Sequence, residues 1–382
     1  MNEITLCLMV KDEQRYLEKC LESVKPYVDD MIIIDTGSTD STIEIAKRYT
    51  ENVSSIPFGG DFSAIRNAAI EKVKTPWILF LDADEEFEES EISKLKDLLS
   101  NTPEDVAGYK VFRYNFFSTG GWYSGTNLKV FRNHPEIRYR KKVNETVQMS
   151  IEDLGLQVLD APIVLNHFGH CRTVEERNNK SYKYMRLMEE QLKETPDDAF
   201  LEGYIGLISR TVGNFSEALT RSERAVEMNP TSATMHSFRG HVLRSTGNNE
   251  EALKSYKKAA ELRPNDSSAW NMIGIIELTL GRYEEAYNTF KHAFNLNPIQ
   301  VHVLINMGIA QECLGNIEKA LEHYQRVAKK NKGFLRQSWV GLTECDPYRP
   351  FYYETIMQYP GLGRLLGSAK FLLEQNEQEN NV

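Results

Sequence analysis

The sequence predicts an α/β domain with a doubly wound, mostly parallel sheet, followed by an all-α solenoid of helical repeats. Three observations carry this expectation. Apolar runs of strand length alternate with amphipathic segments from residue 4 to residue 82. Four columns of identical residues recur every 34 positions in the second half. The 382 residues, 41% hydrophobic and 26% charged, suit a soluble chain of two globular domains.

In chain order the first half reads as strands over 4–10, 31–35, 53–56 and 77–81, separated by helices over 13–24, 41–49 and 62–73. Such strands are apolar almost without interruption, as expected where helices cover both faces of a parallel sheet. Ligands bind such sheets at the carboxyl ends of the strands. Those positions hold Lys11-Asp12-Glu13, then Asp35-Thr36-Gly37-Ser38-Thr39-Asp40, then Asp82-Ala83-Asp84-Glu85. No Gly-rich dinucleotide turn, Gly-rich Arg-containing loop or Gly-Lys-Ser/Thr phosphate loop follows the first strand. Asp82 and Asp84 suit a divalent cation instead, because Mg²⁺ or Mn²⁺ takes one or two carboxylates together with phosphate oxygens. A metal-bridged diphosphate is the ligand this implies.

Further on, a helix is expected over 90–99, with Glu85 and Glu86 as acidic helix-start residues. A strand over 107–117 carries Tyr109, Phe112, Tyr114, Phe116 and Phe117 as core. Gly120-Gly121-Trp122-Tyr123 reads equally as a turn that stacks on a sugar and as plain packing. Another strand covers 128–132, an apolar run 161–165 precedes Asn166-His167-Phe168-Gly169-His170, and a basic helix covers 172–193.

Cys7–Glu13, Ile34–Thr42, Asp61–Asn67 and Trp77–Glu85, in this order and spacing, resemble the nucleotide-sugar half of a family 2 glycosyltransferase with the GT-A fold. The resemblance runs over residues 3–170. It implies that Asp35 hydrogen-bonds the uridine base or ribose, and that the backbone of Val10 and Lys11, with Glu13, lines the nucleotide. Arg66 would lie near the pyrophosphate or base, Asp82 would reach the ribose or a metal-bound water, and Asp84 the metal. Trp122 is the candidate sugar contact. His167 resembles the family's metal- or diphosphate-binding histidine, and Arg172, Arg177 or Lys180 would touch the leaving diphosphate. Glu145 aligns with the glutamate of a Val-His-Glu motif and would be the general base; Asn144 stands where the family has His. Each residue also has a plainer reading. Asp35 could cap a helix, Arg66 could be a solvated helix residue, Glu145 could pair with Lys141 or Lys142, and His167 could be structural.

In the second half Gly213, Gly247, Gly281 and Gly315 are each 34 residues apart, and three further columns keep that spacing. They are Gly206/Gly240/Gly274/Gly308, Ala218/Ala252/Ala286/Ala320 and Pro196/Pro230/Pro264/Pro298. Small residues let two helices cross closely, a glycine takes the left-handed turn between them, and proline stops the second helix. Trp270-Asn271-Met272-Ile273-Gly274, then Gly281, Tyr283, Ala286, Phe290, Ala293 and Pro298, resemble the tetratricopeptide repeat. The expected organisation is a transferase domain over 1–170, a connecting helix over 171–195, four repeats over 196–332, a helical cap over 333–373 and a polar tail over 374–382. Such arrays imply a groove for a polypeptide; a spacer or a surface pairing two copies of the chain is the other reading.

A net charge of −10 argues against a protein that lives on nucleic acid, while leaving room for one local basic pocket. Without a basic leader, a membrane-length apolar run or any CxxC pair among five cysteines, a cytoplasmic protein is expected. The combination resembles bacterial polypeptide glycosyltransferases of the flagellin type and those that modify Cys of bacteriocin peptides. It implies inverting, metal-dependent transfer of glucose or N-acetylglucosamine from a UDP-sugar to Ser, Thr or Cys. A cell-envelope glycan transferase, and a repeat adaptor with a degenerate transferase domain, are the alternatives.

Overall fold

The computed structural model describes residues 3–117 and 122–330. They fall into two compact units that divide between Arg172 and Thr173. The expected cap and tail lie outside the described residues.

The first unit is built on eight strands: β1 (Ile4–Val10), β2 (Asp30–Asp35), β3 (Val53–Ser55), β4 (Trp77–Asp82), β5 (Glu85–Phe87), β6 (Val106–Phe117), β7 (Trp122–Arg132) and β8 (Gln157–His170). They lie in one sheet in the order β3-β2-β1-β4-β7-β6-β8-β5. The first four are parallel, as expected. Beyond β4 the sheet is mixed, because β7 runs antiparallel to β4 and β6, β8 parallel to β6, and β5 antiparallel to β8. Four residues separate β6 from β7, too few for a parallel crossover. Four of the seven pairings are parallel, as expected, and the three antiparallel ones all lie beyond β4. The strand expected over 128–132 is the end of the longer β7.

Helices α1 (Leu17–Val24), α2 (Thr42–Lys47), α3 (Phe62–Ile70), α4 (Glu89–Ile92), α5 (Lys94–Ser100) and α6 (Gln148–Asp153) complete this unit. Alternate residues of β1 serve opposite faces. Leu6 and Leu8 join a core with Leu17, Leu21 and Leu95, while Cys7 joins one with Ile65, Ala69 and Ile151. Each fully buried aliphatic side chain is worth about 1.5–3 kcal/mol, so a polar residue at the end of such a strand is held on a rigid support. α1 starts four residues later than expected. The backbone N–H of Glu13 donates to Thr42 Oγ1 at 2.7 Å and that of Gln14 to Asp40 Oδ2 at 3.2 Å, which ties 11–14 to the β2 loop. Glu85 and Glu86 open no helix; they lie in β5, where Glu85 is fully buried.

The second unit contains α7 (Val174–Glu194) and four helix pairs: α8 (Ala199–Thr211) with α9 (Phe215–Met228), α10 (Ala233–Ser245) with α11 (Asn249–Leu262), α12 (Ser267–Thr279) with α13 (Tyr283–Leu296), and α14 (Val301–Cys313) with α15 (Ile317–Lys330). Gly213, Gly247, Gly281 and Gly315 have φ between +76° and +87°, the left-handed turn that joins each pair. A Cβ on Gly274 would stand 2.6 Å from the Phe290 ring, and one on Gly240 2.8 Å from Tyr256, so these positions permit the close crossing. α7, α9, α11 and α13 each end two residues before Pro196, Pro230, Pro264 and Pro298.

Candidate functional site

The ends of β1, β2 and β4 come together where the strand order reverses, at β1 between β2 and β4. At the end of β1 the Val10 carbonyl accepts from Thr36 N–H at 2.9 Å and from Thr36 Oγ1 at 3.1 Å. Lys11 is exposed. Asp12, at φ +53°, accepts Thr39 N–H at 2.7 Å. At the end of β2 the buried carboxylate of Asp35 accepts the N–H of Gly37 at 3.0 Å and of Ser38 at 3.1 Å, so it shapes the turn of its own loop.

The residues after β4 divide between two clusters. In the first, Asp84 is almost fully buried. His167 Nε2 lies 3.3 Å from its Oδ1 and Arg172 Nη2 3.3 Å from its Oδ2. Arg172 also grips both oxygens of Glu13, at 2.6 and 2.7 Å, and stacks over the Tyr16 ring. Desolvation opposes the charge on Arg172, but Glu13 and Asp84 outweigh it and raise its pKa. β8 supplies His167 directly opposite Glu85. His167 Nδ1 bonds Asn115 Oδ1 at 2.7 Å, and because that oxygen can only accept, Nδ1 carries the proton. That leaves Nε2 as the ring atom directed at the Asp84 carboxylate.

A cation fits that arrangement. An ideal Cβ on Gly169 would stand 2.5 Å from His167 Nε2 and 2.7 Å from Asp84 Oδ2, so the missing side chain leaves room between a nitrogen and an oxygen donor. Among the described residues no group of three or more His, Cys, Asp or Glu side chains forms a closed metal cage. Two protein ligands with the remaining positions open is the pattern of a cation shared with phosphate oxygens.

The second cluster alternates charge. Arg113 Nη1 bonds Glu85 at 3.0 Å, and Lys129 Nζ bonds Glu85 at 2.7 Å and Asp82 at 3.0 Å. Arg66 bonds Asp82 through Nη2 at 3.1 Å and Glu145 through Nε at 2.7 Å. The Arg66 guanidinium also lies over the rings of Phe80 and Tyr139. Desolvation pushes the Asp82 carboxyl up, yet Lys129, Arg66 and Arg113 together hold it well below the usual carboxylate range. Burial likewise disfavours the charge on Arg66, and Glu145 and Asp82 outweigh it. The Asp82 side chain is 35% exposed and Glu145 8%, so Asp82 is the most exposed member of the chain.

The expected site residues thus form two groups, Glu13, Asp84 and His167 in one and Arg66, Asp82 and Glu145 in the other, with Asp35, Val10 and Lys11 at the neighbouring strand ends. Arg66 is neither solvated nor set apart: it joins Asp82 to Glu145 across 63 residues of sequence. Glu145 pairs with Arg66 where Lys141 or Lys142 was the plainer expectation. Trp122 opens β7; its side chain lies outside the described residues, as do Gly120 and Gly121. Lys129, Arg113 and Asn115 were not singled out; Gly169 was noted only as the glycine two residues after His167. Lys129 and Arg113 sit among polar strand neighbours, Arg132 on β7 and Lys110 on β6, so the sequence does not mark them out; it is their burial against Glu85 that does.

Residues 5–159 match the model of glycosyl transferase family 2, and residues 231–298 match the tetratricopeptide repeat. The chain is 34% identical over 212 residues to the TPR repeat-containing protein Synpcc7942_0270 of Synechococcus elongatus, an alignment covering 54% of this chain and 52% of that protein. It is 28% identical over 200 residues to the SPbeta prophage-derived glycosyltransferase SunS of Bacillus subtilis, covering 51% and 46%. It is also 27% identical over 248 residues to the lipopolysaccharide core biosynthesis glycosyltransferase LpsC of Rhizobium meliloti, covering 58% and 87%. The chain spans about half the length of the first two relatives. No helix of the described residues is long and apolar enough to cross a membrane. Residues 5–159, in the first unit, thus carry the glycosyl transferase family 2 match, and residues 231–298, in the second, the tetratricopeptide repeat match.

Proposed function

We propose that the chain is an inverting glycosyltransferase that moves a sugar, glucose or N-acetylglucosamine, from a UDP-sugar to a Ser, Thr or Cys side chain of a polypeptide held by the repeats. The observation that carries this reading is the approach of His167 Nε2 to the Asp84 carboxylate at 3.3 Å, beside the space at Gly169, with Glu145 joined through Arg66 to Asp82 at the end of β4. Asp84 and His167 would hold a divalent cation, whose charge would offset that of the diphosphate. A nitrogen in the donor set suits Mn²⁺ better than Mg²⁺. Val10, Lys11, Glu13 and Asp35 would border the nucleotide, with Asp82 at the ribose, Trp122 at the sugar and Arg172 at the leaving diphosphate.

In the reaction the acceptor oxygen or sulfur attacks the anomeric carbon from the face opposite the diphosphate. The carbon–oxygen bond to the diphosphate breaks, the acceptor proton passes to Glu145, and UDP leaves. Proton removal by a positioned carboxylate contributes typically about 10²–10⁴-fold. Arg66 holds one oxygen of Glu145, and among the described residues no other partner is bonded to that carboxylate, so its second oxygen is available for the proton. With Asp84 in place of charge at the cation site, Asp84→Asn should abolish Mn²⁺-dependent binding of UDP in titration calorimetry while leaving the fold intact.

A second reading, transfer to a cell-envelope glycan, is favoured by the similarity to LpsC, which extends over most of that protein. Radiolabelled UDP-glucose and UDP-N-acetylglucosamine, supplied with Mn²⁺ to an extract of the producing cells and the purified chain, distinguish the two. Label in proteinase-sensitive material supports the polypeptide acceptor; label in glycan or solvent-extractable lipid supports the second reading; absence of UDP release from either donor, with no UDP binding, excludes both and leaves a binding protein.

A further inference from the structure

We propose that Asn67 is a positioning residue for Glu145, acting through the loop that carries it. This inference rests on reading Glu145 as the general base. Arg140 and Thr146 exchange backbone hydrogen bonds at 3.0 and 3.1 Å, closing the five residues 141–145 into a tight loop. Two of the five, Lys141 at φ +71° and Asn144 at φ +53°, are in the left-handed region. Asparagine enters that region readily, whereas lysine does so against steric resistance. A loop of this shape keeps its form only where its surroundings hold it.

One face of α3 does the holding. Phe62, Ser63, Arg66 and Asn67 recur at the spacing that places side chains together along a helix. The Phe62 N–H donates to the Lys142 carbonyl at 2.9 Å, and the Ser63 hydroxyl donates to the Lys141 carbonyl. Arg66 takes the Glu145 carboxylate. Asn67 clamps the root of the loop from both sides: its Oδ1 accepts the Tyr139 N–H at 2.8 Å and its Nδ2 donates to the Tyr139 carbonyl at 3.0 Å. A primary amide is the side chain that offers donor and acceptor side by side for one residue's backbone. α3 begins just past Asp61, which caps it by accepting the Ala64 N–H at 3.0 Å. The segment from Asp61 to Asn67 is therefore a single device: a capped helix whose first two turns grip the loop of the base. Asn67 itself bonds Tyr139 and not the Glu145 carboxylate, so its effect on chemistry passes through the backbone. A displacement of about 1 Å at a reacting group costs about 10²-fold in rate.

The test is a double-mutant cycle on the full-length chain. Turnover is followed as UDP released from UDP-glucose or UDP-N-acetylglucosamine with Mn²⁺, water serving as acceptor, and UDP affinity is measured by calorimetry. Asn67→Ala should lower kcat by about 10–10²-fold, leave UDP affinity unchanged, and cause no further loss in the Glu145→Gln background. Unchanged kcat in Asn67→Ala, or an equal further loss when Glu145 is already Gln, overturns the positioning role, because a general weakening of the domain acts whether or not the base is present. If Asn67→Ala does not fold, Ser63→Ala, which removes one bond to the same loop, is held to the same criteria. A Glu145→Gln variant as active as the wild type, or a wild type that releases no UDP from either donor, overturns the reading of the base itself and the positioning role with it; only that outcome touches Glu145.

Discussion

In the α/β unit six charged side chains, Arg113, Glu85, Lys129, Asp82, Arg66 and Glu145, are joined end to end along one wall of the site. In the helical unit the decisive contact is a different one and recurs: a glycine on the first helix of a pair meets an aromatic ring of the second, Gly240 against Tyr256 and Gly274 against Phe290. The first arrangement occurs at one place and concentrates energy there. Removing one member of a buried ion pair costs about 3–5 kcal/mol, because its partner stays buried and uncompensated. The second spreads stability over similar units, so each contact matters less and neighbouring repeats support one another. Specialised chemistry suits the first, and an extended surface suits the second.

The largest effect expected is at the outer end of the charged chain. Glu145→Gln keeps an oxygen for Arg66 Nε but cannot take a proton, so UDP release should fall by about 10²–10⁴-fold while UDP affinity stays near wild type. Wild-type turnover would return Glu145 to a purely structural place in the chain. Lys129→Met keeps length and removes the charge between Asp82 and Glu85, which should lower the unfolding free energy by about 3–5 kcal/mol in denaturant titrations. A loss below about 1 kcal/mol would mean that Arg66 and Arg113 suffice, and the contrast between the units would shrink.

Gly169→Ala sharpens the contrast from another side. The added Cβ meets the tips of His167 and Asp84, which can move aside, so the fold should survive. The space between them is lost, and Mn²⁺-dependent UDP affinity should drop by about 10–100-fold; calorimetry reads it, and an unchanged affinity removes the cation from this place. In Gly274→Ala the same one-carbon change meets the buried Phe290 ring 2.6 Å away, with no room to yield, and the cost is stability, about 1–3 kcal/mol. Thermal unfolding checks it, and a neutral result would mean that the helix pair can open.

The most gradual effect is a pH dependence in the repeats. Burial lowers the pKa of His302 from 6.5 to about 4. The folded state thus binds its proton less readily than the unfolded chain does. The stabilisation is complete above pH 6.5 and falls by about 1.4 kcal/mol per pH unit between 6.5 and 4. Unfolding measured at pH 6.5, 5.5 and 4.5 should show a shallower decline in His302→Leu than in wild type; parallel declines would assign the acid sensitivity elsewhere.

How much could be read in advance differs between the units for the same physical reason. Repetition writes each contact several times: the left-handed turns at Gly213, Gly247, Gly281 and Gly315 and the helix ends before Pro196, Pro230, Pro264 and Pro298 are visible as columns. The parallel strands β1 to β4 were legible because burial on both faces leaves a continuous apolar run. β5 was not. Glu85-Glu86-Phe87 has the composition of a helix start, and only pairing with β8 makes it a strand. The start of α1 was misjudged by four residues: residues 14–16 form only a turn, and Glu13 and Gln14 are tied to Thr42 and Asp40, contacts across 29 and 26 residues that local pattern does not contain.

For the candidate site, the sequence by itself determined which residue types stand at the strand ends, since an apolar run followed by Asp82-Ala83-Asp84 sets both the element and where it stops. It also determined the solenoid, because a contact between sequence neighbours needs only local information. The tertiary structure alone decided who pairs with whom. That Arg66 faces Glu145, Lys129 sits between Asp82 and Glu85, and Asn115 turns the ring of His167 follows from strands and helices 16 to 79 residues apart being brought side by side. A buried charge requires a partner, and its own sequence states that requirement; the identity of the partner is a property of the packed chain.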